Sequence, residues 1–421
     1  MVLDEMIQDA MISDELRRRD PMAQNRVVIA GAGPVGCVSA LSLAKAGIPV
    51  TILEAGEDLE LDLRASTFHP PTLDMLDQLG VANELIDQGL VCPRWQYRDT
   101  QEGIIADWNL GLLNNYTRHP YRLQAEQFRL TQIIMKRLKA MSNVEVRFGC
   151  RVTDTKQDGN GVTVAFDSDE GTDSLRGTYL IAAEGGSSPT RKTQGIAFDG
   201  LTFPEMWLIV STPFDFTQHF EELTPIAYVT EPDDWFVFVF VSGLWRVLVP
   251  TKPGDTPEAI LDDDYLQARL QKICATGKKY EIAHKTAYSV HQRVAETYVH
   301  GRIFLAGDAA HINNPLGGMG MNGGIHDAIN LCEKIIKVWS GQAGDGRAEF
   351  ARYDAQRRPI AHEYVQRSTL QNKQMLEEQD PATRKKRHDD LRRTASDPDA
   401  AREFLMNSSM IRALERAAVL G

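Results

Sequence analysis

No stretch of the chain approaches the roughly 20 consecutive apolar residues that a membrane-spanning helix requires, so no membrane span is expected. Cysteine is scarce: five in 421 residues (Cys37, Cys92, Cys150, Cys274, Cys332), odd in number, scattered and without C-x-x-C spacing. That argues against a disulfide framework or a zinc site and for reduced thiols in a cytoplasmic protein. The ten histidines form no H-x-H or H-x-x-x-H pair, which leaves a catalytic metal without support. Basic residues are in deficit, with 46 Lys and Arg against 58 Asp and Glu and a net charge of −12, so neither nucleic acid nor an anionic membrane is an expected partner. The first 20 residues put acids before the Arg17-Arg18-Arg19 cluster and lack an apolar core, unlike a signal peptide. Residues 1–21 are read as an N-terminal extension, with Met22 an alternative start and ordered sequence expected from near Asn25.

What is present is the composition of a folded protein, 43% apolar and 25% charged, at a length that suits two or three domains. Val27–Ala30 reads as a strand, Val35–Ala46 as a helix closed by Gly47, and Pro49–Leu53 as a second strand. A helix is expected over Gln127–Met141, with strands at Val144–Phe148, Gly161–Phe166 and Tyr179–Ala182. Between Leu201 and Pro250 the pattern turns antiparallel: Met206–Val210, Ala227–Val229, Trp235–Val241 and Leu244–Val249, the last two joined by a Ser242-Gly243 turn. Trp235, Val237 and Val239 alternate with Phe236, Phe238 and Phe240, which predicts a sheet covered on both faces. A strand at Ile303–Ala306, a glycine-rich loop and a helix from about Asn322 to Trp339 follow. Residues 347–421 read as helical, with breaks at Pro359, Pro381 and Pro398. The basic run Arg384–His388 reads as a solvated helix face.

Gly31-Ala32-Gly33-Pro34-Val35-Gly36 fits G-x-G-x-x-G behind a strand and at the opening of a helix, the setting that gives the motif meaning. Gly31 permits the tight turn, Gly33 leaves room for a pyrophosphate, and Gly36 lets helix and strand pack closely, with Val35 in the same turn. Glu54 ends the second strand, where a carboxylate accepts from ribose hydroxyls and repels a 2′-phosphate. This motif alone suits NAD and FAD equally. A second segment bears on the choice: the strand Ile303–Ala306 delivers Asp308 at its carboxyl end, ahead of Pro315-Leu316-Gly317-Gly318-Met319-Gly320-Met321-Asn322 and an amphipathic helix.

These residues resemble the second fingerprint of the FAD-dependent aromatic hydroxylases of the 4-hydroxybenzoate hydroxylase type. The resemblance implies an α/β fold: a Rossmann-like FAD-binding domain, an interleaved antiparallel-sheet substrate domain and a helical C-terminal region. It implies that Asp308 holds the ribityl chain, that Pro315 to Gly318 flank the flavin ring, and that backbone N–H groups near Met321 and Asn322 face the ring. Arg64 matches a family arginine near the pyrophosphate, Gln127 a flavin-side glutamine, and Val152 a position whose backbone touches adenine. Tyr179 to Arg191 resembles the family's segment serving FAD and NAD(P)H, with Glu184 in place of the usual aspartate. Phe198 to Thr202 and Cys92 to Arg98 are most similar to phenol and 4-nitrophenol monooxygenases. The boundaries implied are 22–92, 119–198 and 287–340 for the FAD domain, 93–118 and 199–286 for the substrate domain, and 341–421 for the helical region.

The activity implied is hydroxylation of a phenol-like ring with NADH or NADPH and O2, through a C4a-hydroperoxyflavin. A homodimer resting on the helical tail is a further expectation of the resemblance. Two other readings stay open: a Baeyer–Villiger or epoxidising flavin monooxygenase of natural-product metabolism, and a redox-inert FAD-binding interaction protein. A halogenase of this fold would carry W-x-W-x-I-P, which is absent. Trp207, Tyr228, Trp235, Phe236, Phe238 and Trp245, with Arg246, are each either substrate-facing or sheet core. His69 is either a base for the phenol or a turn residue. No catalytic residue is assigned.

Overall fold

The computed structural model describes residues 25–61, 63, 65–343 and 346–421. The N-terminal extension 1–21, Met22 and Arg64 lie outside the described residues. A six-stranded sheet runs in the order Val299–His300, Ile303–Leu305, Tyr179–Ala182, Val27–Ala30, Val50–Leu53, Val144–Arg147, parallel except at the first edge. Every residue of Val27–Ala30 is buried, as a central parallel strand covered on both faces must be. The helices Pro34–Lys45, Gln127–Leu138 and Met319–Trp339 cover one face through Val38, Leu41, Leu130, Ile134, Ile325 and Leu331. A three-stranded antiparallel sheet (Arg151–Gln157, Val162–Ser168, Gly171–Gly177) covers the other, with Val152, Val164 and Phe166 against Val28, Leu53 and Leu180.

The second body is an eight-stranded mixed sheet on which Phe198–Thr212 and His284–Ala295 form a long antiparallel ladder. Positions 198/199 and 286/287, the expected domain crossings, fall inside these two continuous strands. The Trp235–Val241 alternation separates as its chemistry requires. Trp235 and Val237 join one core with Trp95, Trp108 and Trp207, while Phe236 and Phe238 join another with Phe216, Trp245 and Leu266. The turn to Leu244–Pro250 has positive φ at Ser242 (51°) and Gly243 (79°), which matches the right-handed strand twist.

The C-terminal helices cover the tryptophan side of this sheet with Leu376, Leu391, Leu405 and Met406, and Phe404 stacks on Trp108 at 3.9 Å between ring centroids. Pro381 and Pro398 stand at helix starts behind Asp380 and Asp397, whose carboxylates accept the free N–H groups of the first turn. Pro359 does not break its helix. Gly346–Ile360 runs on through a π-helical stretch, Ala361–Gln366, into Arg367–Leu376. Proline deletes one helical donor and clashes four residues back, and the helix changes to the wider π-helical turn two residues after it.

A buried charge network ties this helix to the parallel sheet. Asp327, fully buried, accepts from Arg357 Nε at 2.7 Å, from His311 Nε2 at 2.8 Å and from the Gly307 N–H at 3.2 Å. Burial opposes the Asp327 charge, but Arg357 and His311 outweigh it and hold its pKa below the usual carboxylate value. A depressed carboxylate adds stability above its unfolded pKa, and that stability is lost as pH falls through the folded pKa. We therefore expect Asp327→Asn to cost about 3–5 kcal/mol in denaturant unfolding at neutral pH, because Arg357 stays buried and unpaired. The deficit relative to wild type should shrink in acid, and a pH-independent deficit would contradict the assignment.

Candidate active site

The first strand ends at Ala30, and the chain turns through Gly31 at φ +99°. A Cβ at Gly31 would lie 2.5 Å from the Ala183 carbonyl oxygen, and one at Gly36 would lie 1.9 Å from the Gly31 oxygen, so both glycines are demanded by internal packing. Gly33 differs: its φ of −67° suits any residue, and a Cβ there meets nothing within 4 Å. The protein itself has no need of a glycine at 33, which fits a site kept open for a ligand. Glu54 accepts the Ala32 N–H at 2.6 Å on one carboxylate oxygen and the Gly56 N–H at 2.8 Å on the other. Its carboxylate is thereby fixed beside the glycine turn, at the positive end of the Pro34–Lys45 helix.

The chain returns to the same place at Asp308. Gly307 takes φ +62°, and a Cβ on Gly307 or Gly324 would come within 2.7 Å of Val35 Cγ2, so Val35 keys the Pro34–Lys45 helix to the Met319–Trp339 helix. Arg191, stacked 3.8 Å from the Phe198 ring centroid, donates to the Ala309 carbonyl at 2.9 Å and fixes the turn from its far side. Asp308 itself is exposed on the cleft wall.

The loop that follows is held at several points. Gly317 (φ +100°) and Gly318 (φ +66°) take left-handed conformations that favour glycine. The Gly317 N–H donates to Tyr228 Oη at 3.1 Å, and its carbonyl accepts from His69 Nε2–H at 2.7 Å. The Asn322 amide donates to the Thr67 carbonyl at 2.8 Å and to the Gly318 carbonyl at 2.6 Å, and its oxygen accepts the His69 N–H at 2.9 Å. The helix starts at Met319, earlier than the expected Asn322, because left-handed Gly318 serves as its cap. The N–H groups of Met319, Gly320 and Met321 are therefore those without intrahelical acceptors. Asn322 stands apart from the cleft as a buried clip on the loop.

One continuous cleft of about 1020 Å³ gathers Gly31, Gly33, Val35, Glu54, Gln127, Val152, Asp308, Pro315, Gly318 and Met321. Gln127 opens its helix there with its N–H on the Ala65 carbonyl at 3.0 Å, and Val152 lies at the Glu54 end beside Cys150 and Arg151. The inner end is a chamber walled by Ile209, Ile226, Val237, Val239, Leu248 and Leu316, with Arg122, Tyr228, Arg246 and Tyr288 as its polar members. Of the aromatics singled out in the sequence only Tyr228 lines it; Trp207, Trp235, Phe236, Phe238 and Trp245 are core. Arg246 lines it while bonded to the Leu63 carbonyl and to Glu126 at 3.2 Å. Arg122 and Tyr288 escaped sequence reasoning, since neither falls in a motif and no local periodicity marks them.

His69 is not the phenol's base. Burial and the nearby Arg122 charge push its pKa down to about 3, far too weak for a phenol proton, and its Nε2–H is committed to Gly317. Glu184, whose pKa is raised by burial, accepts from Ser188 Oγ, from Thr190 Oγ1 (2.7 Å) and from the Thr190 N–H (3.3 Å), and so steadies the short helix Pro189–Thr193 that Ser188 caps. Among the described residues no cluster of three or more His, Cys, Asp or Glu is placed to hold a metal.

The two kinds of glycine should separate on mutation. Gly33→Ala should leave the unfolding free energy of the cofactor-free protein within about 0.5 kcal/mol of wild type yet weaken FAD binding in a fluorescence titration. Gly36→Ala should cost about 3 kcal/mol through a backbone clash that cannot relax. Equal destabilisation by both would refute the distinction.

With this geometry in view, comparisons with known proteins are informative. Residues 24–368 match the family described as FAD binding domain. The chain is 34% identical over 390 residues to para-nitrophenol 4-monooxygenase of Pseudomonas sp. (strain WBC-3), covering 90% of this chain and 94% of that one. It is 34% identical over 333 residues to 6-hydroxy-3-succinoylpyridine 3-monooxygenase of Pseudomonas putida, covering 77% and 82%. Among solved structures, p-nitrophenol 4-monooxygenase PnpA from Pseudomonas putida DLL-E4 superposes with a TM-score of 0.87 at 31% identity, over 93% of this chain and 98% of that one. The shared fold, the glycine turn opposite Asp308 and the match over most of its length make the chain a member of the FAD-binding-domain family, among its FAD-dependent aromatic hydroxylases.

Proposed function

We propose that the protein hydroxylates a small phenol, with NADH or NADPH and O2 as co-substrates. The observation that carries this is the position of the apolar chamber: it opens onto the Pro315–Gly318 loop, and Tyr228 in its wall accepts the Gly317 N–H. When bound, FAD would relay the two electrons that NAD(P)H supplies and activate O2, one oxygen atom entering the ring and the other leaving as water. The open space at Gly33 and the N-terminus of the Pro34–Lys45 helix would hold the pyrophosphate, Glu54 the adenosine ribose, and the Val152 backbone the adenine. Asp308 would hold the ribityl chain, with Gln127, Pro315 and Gly318 flanking the ring and the Met321 N–H toward it.

The chain's own contribution is to place, shield and polarise. Ile209, Ile226, Val237, Val239 and Leu248 exclude water from the chamber, which suppresses loss of reducing equivalents to peroxide. The free N–H groups at the start of the Met319–Trp339 helix favour negative charge on whatever lies against them. His69 and Asn322 fix the loop that carries those donors. A cytoplasmic location belongs to the proposal, supported by five free, buried cysteines, and so does a homodimer through the helical tail. Among the described residues no helix is long and apolar enough to cross a membrane.

Two measurements test the proposal. Small phenols should accelerate NAD(P)H oxidation by the FAD-loaded protein and yield hydroxylated product; full FAD occupancy with no acceleration by any phenol would leave the inert FAD-binding role. Asp308→Ala should weaken FAD retention by roughly 10- to 100-fold, the scale of a charge-assisted hydrogen bond, as read from flavin absorbance after gel filtration. Unchanged retention would remove the ribityl role.

A further inference from the structure

Arg122 is 2% exposed, yet it lines the chamber. Its guanidinium lies 4.6 Å from the Trp95 ring centroid, and Tyr228 meets the same ring edge-on at 5.5 Å. Its Nε has no hydrogen-bond partner, and the groups that bear on its charge are the Tyr228 hydroxyl and the Cys92 thiol. No described carboxylate pairs with it, in contrast to Arg246, which is paired with Glu126. A cation taken out of water without a counter-ion is costly, and such a group is kept where a ligand supplies the anion.

Among the described residues the surroundings hold no anion for that charge. Cys92 is pushed up to about 12 by burial and stays a thiol, and His69 is neutral. Glu126 is engaged by Arg129 at 2.8 Å, Ser242 at 2.8 Å and Arg246. Tyr228 joins Arg122 to the cofactor loop, because its hydroxyl accepts the Gly317 N–H while it lies beside the guanidinium.

Resting on the hydroxylase assignment above, we infer that Arg122, steadied on Trp95 and beside Tyr228, receives the oxygen of a phenolate, so that the chamber selects phenols already ionised at working pH. The class implied is a single ring whose phenol is acidified by an electron-withdrawing substituent. Ionisation also makes that ring the stronger nucleophile, so recognition and activation coincide at one side chain.

The test is a titration of the FAD-loaded protein, followed by flavin absorbance, with 4-nitrophenol, its uncharged ether 4-nitroanisole, and benzoate, below and above the pKa of the phenol. Wild type should bind 4-nitrophenol more tightly as the phenol ionises and 4-nitroanisole with no pH dependence. Arg122→Met should lose roughly 10- to 100-fold in phenolate affinity and flatten that dependence, while holding 4-nitroanisole within about twofold. Arg122→Lys, which keeps charge and stem, should retain the pH-dependent binding. Unchanged 4-nitrophenol affinity in Arg122→Met, equal losses for phenol and ether, loss of the pH dependence in Arg122→Lys, or Arg122-dependent preference for benzoate would each overturn the inference. A wild-type flavin that responds to none of the three ligands, nor to other phenols, would instead bring down the hydroxylase assignment, and the role of Arg122 with it.

Discussion

A single buried carboxylate holds the cofactor cleft together. Asp327 binds the turn that presents Asp308 through the Gly307 N–H, the following strand through His311, and the Gly346–Ile360 helix through Arg357. The first helix locks onto the same turn by the fit of Val35 against Gly307 and Gly324. A glycine turn from the start of the domain and an aspartate from near its end are thereby brought to one wall, although no local interaction connects them. The free energy for this comes from apolar burial around the parallel sheet; the charge network fixes which arrangement that burial selects.

The inner end of the cleft obeys a second constraint. The Pro315–Gly318 loop lines the cleft with backbone bare of side chains at Gly317 and Gly318, both at positive φ. Such a loop is floppy unless held, so it is clipped by His69 and Asn322 on one side and by Tyr228 on the other. The Tyr228 clip belongs to the eight-stranded sheet, which means that the loop and the chamber share a wall. The antiparallel ladder of Phe198–Thr212 and His284–Ala295 runs through the same sheet, with one irregularity between Thr202 and Met206.

The local geometry of the glycine turn was legible because its requirements concern few bonds. The turn at Gly31 and the close approach at Gly36 each concern a few bonds of backbone, and the acids at Glu54 and Asp308 follow directly from where strands end. The chamber was legible only at Tyr228 and Arg246, because Arg122, Ile209, Leu248, Tyr288 and Leu316 come from separate segments that only the folded chain gathers. Local rules also yielded where packing opposed them: Pro359 sits inside a helix, and the polar segment Gly171–Gly177 forms a strand because its neighbour supplies the pairing. His69 carried two readings in the sequence, and the burial that decides between them is a property of the tertiary structure alone.

The most direct measurement of the central claim is a crystal structure of the protein loaded with FAD and a small phenol. The flavin ring is expected against Pro315–Gly318, with the phenol between that ring and the Tyr228 wall. A flavin bound by its adenosine half alone, with the phenol outside the chamber and the chamber filled by protein, would contradict that claim.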